Sequence, residues 1–163
     1  MMSNIEIMIK QIYVDDLKPA LELVNKVFNE FVAVDFSEQG NATFASYLEN
    51  KYEEVALGIN SGNKKLWGYY KDSEIVGIIG TRDITHISLM FVDKAYHKQG
   101  IATQLFKTVI SDLMIDPNNK EITVNSSPYA VKVYEKLGFT KTAEQQEKDG
   151  LLFVPMKYFI INE

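Results

Sequence analysis

At 163 residues the chain is sized for one domain with a single core, and 46% hydrophobic with 24% charged residues is ordinary for a folded protein. Cysteine is absent, which excludes disulfides, thiolate metal sites and a cysteine nucleophile. The two histidines, His86 and His97, are too few for a metal cluster, so no metal is expected. A net charge of -5 argues against a nucleic-acid partner, no apolar run is long enough to span a bilayer, and Met1 to Glu6 lacks the basic start and apolar stretch of a signal peptide. A soluble, cytoplasmic protein is expected.

Ile5, Ile7 and Ile9 alternate with Glu6, Met8 and Lys10, and Ile12 follows, which reads as a first strand. Asp15 or Asp16 can cap a helix whose apolar face is Leu17, Leu21, Val24, Phe28 and Phe31. Residues 33 to 41 read as a loop, with Ser37 or Asn41 as cap of a second helix. Phe44, Tyr47, Leu48, Tyr52, Val55 and Ile59 supply that helix's apolar side, with a break expected near Asn50 and turn chemistry at Asn60-Ser61-Gly62-Asn63. Leu66 to Lys71 and Ile75 to Thr81 form a predicted hairpin through Asp72-Ser73, and a further strand runs from about Thr85 to Val92.

After a polar link from Asp93 to Lys98, small residues at Gly100 and Ala102 open a helix. Its face is Ala102, Leu105, Phe106, Val109, Ile110 and Leu113, spaced 3, 1, 3, 1, 3. The first amides of a helix lack partners within it and carry the positive end of its dipole, so a strand, tight loop and helix of this composition suits an anion such as phosphate. The helix closes near Asp116 to Asn119, and Glu121 to Asn125 reads as a strand. Ser127 and Pro128 form a favoured cap and first-turn pair, Gly138 sits where a C-terminal glycine belongs, and Glu144 to Gly150 is a polar turn. A last strand runs from Leu151 to Ile161, with Pro155 marking an edge or irregularity.

Two of these stretches resemble a known family. His97-Lys98-Gln99-Gly100-Ile101-Ala102 is similar to the acetyl-CoA signature of the GCN5-related N-acetyltransferase (GNAT) superfamily, with His97 in place of the usual Gln or Arg. Tyr134-Glu135-Lys136-Leu137-Gly138-Phe139 is similar to the family's later signature. The two span Leu89 to Phe139 in the family's order and spacing. The predicted order β-αα-βββ-α-β-α-ββ, an α/β (α+β) arrangement with a mixed, mostly antiparallel sheet flanked by helices in a single domain over 1–163, agrees with what the resemblance implies.

The implied activity is N-acetyl transfer from acetyl-CoA, as cosubstrate, to a primary amine of a small molecule or protein. By resemblance, main-chain groups of Phe91 and Val92 pair with the pantetheine arm. The pyrophosphate rests on the turn formed by Lys98, Gln99, Gly100, Ile101, Ala102 and Thr103, and Asn125 and Ser127 touch the donor. Tyr134 points its hydroxyl at the sulfur. A phenol near pKa 10 is a weaker acid than a thiol near 8.5, so full proton donation is uphill by roughly 2 kcal/mol and a hydrogen bond to the departing thiolate is as good a reading. Without the flanking motif Tyr134 would read as a packing residue, and Asn125 and Ser127 as capping residues.

The acceptor amine must be neutral, and only about one lysine-like amine in a few thousand is neutral at pH 7. His86 is the candidate base, grouped by alternation with Ser88 and Met90 unless a bulge intervenes; a structural role or a water chain is the alternative. Asp35, Glu38, Glu49, Glu53 and Glu54, with Trp67, Tyr69 and Tyr70, are candidates to hold a cationic amine. A catalytically silent acyl-CoA-binding regulatory module is the competing reading. A nucleotide-binding P-loop fails, because no Lys-Ser/Thr follows Gly100. A monomer and a homodimer both remain open, and neither a nucleic acid nor a membrane is expected as partner.

Overall fold

The structure is a computed structural model that describes residues 5–32 and 37–160. Eight strands form a sheet ordered β1-β2-β3-β4-β5-β8-β6, with β7 paired to β8 off this path. The order is that of the predicted elements with one strand added near the end. In sequence the elements are β1 (Ile7–Ile12), α1 (Leu17–Val27), α2 (Glu38–Ser61), β2 (Lys64–Lys71), β3 (Glu74–Arg82), β4 (His86–Val92), α3 (Ile101–Leu113), β5 (Glu121–Ser126), α4 (Val131–Leu137), β6 (Thr140–Lys141), β7 (Gln146–Lys148) and β8 (Leu151–Phe159). All the pairings are antiparallel except β4 with β5.

Helices cover both faces. On one, α1 and α2 bury Leu17, Ala20, Val24, Val27 and Val55 against Ile12, Leu66, Ile78 and Leu89. On the other, Ile101, Leu105, Phe106 and Val109 of α3 and Tyr134 of α4 pack on Val76, Ile79, Ile87, Ile122 and Val124. Fully burying each large aliphatic or aromatic side chain contributes about 1.5–3 kcal/mol, so both helix layers are held mainly by these faces.

Several boundaries differ from the sequence reading. Neither Asp15 nor Asp16 caps α1 through its side chain; a 3-10 turn over Val14–Asp16 leads into the helix instead. The helix widens into a π turn over Phe28–Val32, which ends the regular 3.6-residue face. α2 runs unbroken through Asn50, and Ser37 is its cap, accepting from the Gly40 amide at 3.1 Å. Asp72 and Ser73 both have positive φ (49° and 69°), as a two-residue hairpin turn of the primed type requires. Pro155 does not lie on an edge: β5 flanks it on one side and β6 and β7 on the other. The Pro155 carbonyl accepts from the Thr142 amide beyond the end of the β6 ladder, at Met156, and before the β7 ladder, at Phe153. Its missing N–H therefore falls where no ladder bond is needed. Ile161, the expected strand end, lies outside the described residues, as does Asp35.

A close backbone approach joins the two ends of the chain. The β7–β8 turn, Asp149-Gly150, lies against the first turn of α2. Ser37 Oγ donates to the Gly150 carbonyl (3.3 Å) and Thr43 Oγ1 to the Asp149 carbonyl (3.1 Å). A Cβ placed on Gly40 would lie 2.1 Å from the Gly150 oxygen. Gly40→Ala is therefore expected to destabilise. Overpacking costs about 1–3 kcal/mol, against a helix-propensity gain of about 1 kcal/mol. A thermal melt should show a lower midpoint than wild type, and a raised midpoint would mean the contact is loose.

Candidate functional site

The site begins with one extra residue. In the β3–β4 register Gly80 faces Leu89 but Thr81 faces Ile87, so Ser88 bulges. The bulge reverses the pleat. Before it Ile87 packs under α3; after it Leu89 and Phe91 point under α1 and α2, while Met90 and Val92 point under α3. The alternation grouping of His86 with Met90 is thereby broken. β4 pairs with β5 only at His86–Thr123 and Ile87–Val124, closed by the Thr123 amide on the Thr85 carbonyl (3.0 Å). Beyond Ser88 the two strands part, each still held by its other neighbour.

The register also tells which main-chain groups face the gap. The Asp93 amide donates to the Val76 carbonyl (2.8 Å), so Val92 and Gly77 form a non-hydrogen-bonded pair. Phe91 and Ile78 then form a hydrogen-bonded pair, and the N–H and C=O of Met90 and Val92 turn toward β5. The expectation of a free Phe91 main-chain pair is corrected accordingly: the sheet uses those groups, and the ones turned to the gap are those of Met90 and Val92. The Val92 carbonyl already accepts from His97 Nε2 (2.8 Å), so His97 braces the loop from within.

At the end of β4 the chain turns through Asp93, whose carboxylate accepts from the Ala95 amide and pairs with Lys26 at 2.8 Å. The Lys26 hydrogen bond and charge hold the Asp93 carboxyl below the usual carboxylate range. Lys98 (φ 62°) and Gly100 (φ 76°) then take left-handed conformations. The first regular bond of α3 runs from the Gln104 amide to the Gly100 carbonyl (3.0 Å), which leaves the amides of Ile101, Ala102 and Thr103 without helical partners. A Cβ at Gly100 would meet nothing within 4 Å. The turn is thus an open cradle at a helix N-terminus, the kind of place that suits an anion.

A cleft of about 750 Å³ runs from this cradle through the gap between β4 and β5 to the face under α1 and α2. Of the sequence-predicted residues, Phe91, Val92, Lys98, Gly100, Ile101, Ala102, Thr103, Asn125, Ser127 and Tyr134 line it. Gln99 does not; its side-chain oxygen accepts from Lys71 Nζ. Ile101 is buried in the core, so only its amide is offered. Ser127 accepts from the Ala130 amide (3.3 Å), the capping role, while still lining the cleft. His86 does not line it. Its Nδ1 lies 2.8 Å from Thr123 Oγ1 at the closed end of the gap, and burial, then the Arg82 charge, lower its pKa.

Tyr134 is 4% exposed and packs edge-on to Phe139 at 5.3 Å. Among the described residues its hydroxyl has no hydrogen-bond partner, although the side chain lines the cleft. A buried hydroxyl without a partner is costly, and a ligand in the gap would supply one. Burial pushes its pKa well above the usual phenol value. Sequence reasoning did not anticipate Met90, Arg82 or the β7–β8 residues Lys148, Asp149 and Phe153, all of which line the cleft. Met90 was reachable had the bulge been placed; the others arrive by long-range pairing. The expected acceptor groups lie elsewhere: Glu38, Glu53 and Glu54 are exposed and absent from the lining, Trp67 and Tyr69 are buried under α3, and Tyr70 is covered by Lys10. The side chain of Glu49 lies outside the described residues. No group of three or more acidic or histidine side chains that could hold a metal ion occurs among the described residues, and no helix there is long and apolar enough to cross a membrane.

Splayed strands and a small-residue helix start leave an open gap with free helix amides at one end, and the chain's relatives give its class. Residues 32–160 match the family described as acetyltransferase (GNAT) domain, and the chain belongs to that family. It is 28% identical over 111 residues to the uncharacterized N-acetyltransferase YafP of Escherichia coli strain K12; the match takes in 68% of this chain and 65% of that relative's length. The PaiA N-acetyltransferase of Thermoplasma acidophilum, solved in complex with coenzyme A, superposes with a TM-score of 0.76 at 17% identity, over 94% of this chain and 99% of that one. A GCN5-related N-acetyltransferase from Rhodopseudomonas palustris gives 0.74 at 16% identity, over 93% and 94%.

The cradle has a direct test. Gly100→Glu places a side chain and a negative charge where a pyrophosphate would lie, at a left-handed position that disfavours any Cβ. Calorimetry should show CoA affinity falling at least about tenfold, or 1.4 kcal/mol, while circular dichroism reports the fold retained. Undiminished affinity would make the turn purely structural.

Proposed function

We propose that residues 1–163 form a single catalytic domain that transfers an acetyl group from acetyl-CoA to a primary amine. The observation that carries the reading is the unpartnered, buried Tyr134 hydroxyl in a gap whose far end is an open helix N-terminus. The amides of Ile101 to Thr103, with Lys98 beside them, would hold the pyrophosphate. The main-chain groups of Met90 and Val92 would align the pantetheine arm as an added strand would be aligned. When bound, acetyl-CoA supplies a thioester carbonyl open to attack by an amine.

Tyr134 then acts on the sulfur side. Its pKa, raised by burial, makes proton donation more uphill than for a free phenol, so it serves by donating a hydrogen bond where negative charge develops on sulfur. The narrow gap fixes the direction of approach, which lowers the barrier by orientation. His86 is bound to Thr123 away from the cleft lining, so the amine's proton leaves through water. The place of His86 off the cleft is also what favours the second reading, a silent acyl-CoA-binding module. Turnover of acetyl-CoA across a panel of amines separates the two: none above background supports the module.

Tyr134→Phe removes one oxygen and little volume. Single-turnover rates should fall by about 10²- to 10³-fold with acetyl-CoA affinity nearly unchanged. Rates equal to wild type would make Tyr134 a packing residue. Because burial favours the neutral phenol, Tyr134 stays protonated past its ordinary pKa of about 10, and its contribution is lost only above that. The wild-type rate profile should therefore show no alkaline fall below about pH 10 that Tyr134→Phe abolishes. Such a fall would mean the phenol ionises during the reaction cycle.

A further inference from the structure

The charge inside the cleft is opposite to that of the chain. The charged side chains in its lining are Arg82, Lys98, Lys136, Lys148 and Asp149, four cations and one carboxylate, in a protein of net charge -5. Positive charge is gathered on the walls where it would draw in an anion. Lys98 is accounted for by the phosphate cradle. Arg82 is not. It faces His86 in the β3–β4 register, six residues from Val92, which is roughly 20 Å along a strand at about 3.3 Å per residue. Its side chain shares the pleat of Ile78 and so lies on the face under α1 and α2, away from α3.

The Arg82 charge also reaches two neighbours on that side, behind the larger effect of burial. Lys51 is buried on α2 and held down to about 7, first by burial, then by the Lys64 charge, with Glu54 opposing and Arg82 adding to the fall. His86 is lowered by burial and then by Arg82. Among the described residues the ion-pair partner of Arg82 is the adjacent Asp83 carboxylate, at 3.2 Å, in a surface pair of the kind that contributes little. Val27, Phe28, Leu89 and Phe153 make much of the remaining wall apolar.

We propose that the acceptor is an amine that also carries a carboxylate on an apolar body, a free amino acid being the simplest case, and that the Arg82 guanidinium receives the carboxylate. A guanidinium presents paired donors that match a carboxylate's two oxygens. The apolar wall takes the body, and the amine is left to face the gap. The inference rests on the acetyltransferase reading above, and it replaces the expectation of a site that collects cations with carboxylates.

The test is calorimetry on CoA-saturated protein, titrated with the N-acetyl forms of phenylalanine, leucine, tyrosine, methionine and tryptophan, and with the decarboxylated counterpart of each. At least one acid should bind tenfold or more tightly than its counterpart, and Arg82→Gln should bring that ratio close to one. Arg82 is exposed, so the fold is not at stake. Initial transfer rates with phenylalanine against phenethylamine, and leucine against isoamylamine, should show the same preference in kcat/KM. If the protein binds CoA but every acid and counterpart bind alike, or the ratio survives in Arg82→Gln, the inference is overturned alone. If it binds no CoA, the acetyltransferase reading falls and takes the inference with it.

Discussion

The parting of β4 from β5 is the constraint on which the rest of the site depends. Two parallel strands that begin paired would ordinarily continue so, since each unmade ladder bond leaves a donor and an acceptor in need of a partner. Here the extra residue at Ser88 shifts the pleat and bends β4 away, and β3 and β8 hold the two strands apart. Main-chain groups of Met90 and Val92 are exposed by the same event that opens a path between the two faces of the sheet. A ligand arm that pairs with them completes the ladder that the bulge interrupts.

The two cores set the geometry at either end of that path. Under α3, Ile101 and Leu105 are buried directly behind the cradle, so the helix N-terminus is seated by the apolar face of its own first turns. Under α1, the Lys26–Asp93 pair joins the end of that helix to the end of β4, and His97 closes the loop back onto Val92. The cradle is therefore held by a core on one side and by charge-assisted hydrogen bonds on the other. The Tyr134 hydroxyl is a buried side-chain group at the gap that this framework leaves without a protein partner among the described residues.

Much of this was legible before the structure. Local patterns place the strands, the α3 face and the Ser127-Pro128 start, because period and cap chemistry are properties of short segments. The two signature stretches carry the cradle and Tyr134. What could not be read is what depends on pairing across the sheet. The resemblance assigned the main-chain groups of Phe91 to the gap and alternation grouped His86 with Met90; the register of β3 with β4 turns the groups of Met90 toward β5 instead, and the bulge at Ser88 breaks the grouping. Gln99 fits the signature by position, yet its side chain turns to Lys71 across 28 residues of sequence. Glu38, Glu53 and Glu54 of α2 were expected near a substrate because the resemblance places the first helices there; in space they are exposed and off the cleft lining. Arg82 and Phe153 had no local mark at all, since only the register of β3 with β4 and of β8 with β5 brings them to the cleft.

The contact between Gly40 and Gly150 bears on how such a protein can diversify. Surface hairpin turns usually accept insertions freely. This one is seated on the first turn of α2 with no side chain between the backbones, so an added residue would lift it from its seat and displace the wall formed by Lys148 to Phe153. That wall of the cleft is then open to change by substitution and closed to change by lengthening. Descendants of this sequence that keep both glycines should vary the side chains of that wall while keeping the span of the hairpin, and a shift in hairpin length should be accompanied by loss of the glycine at position 40.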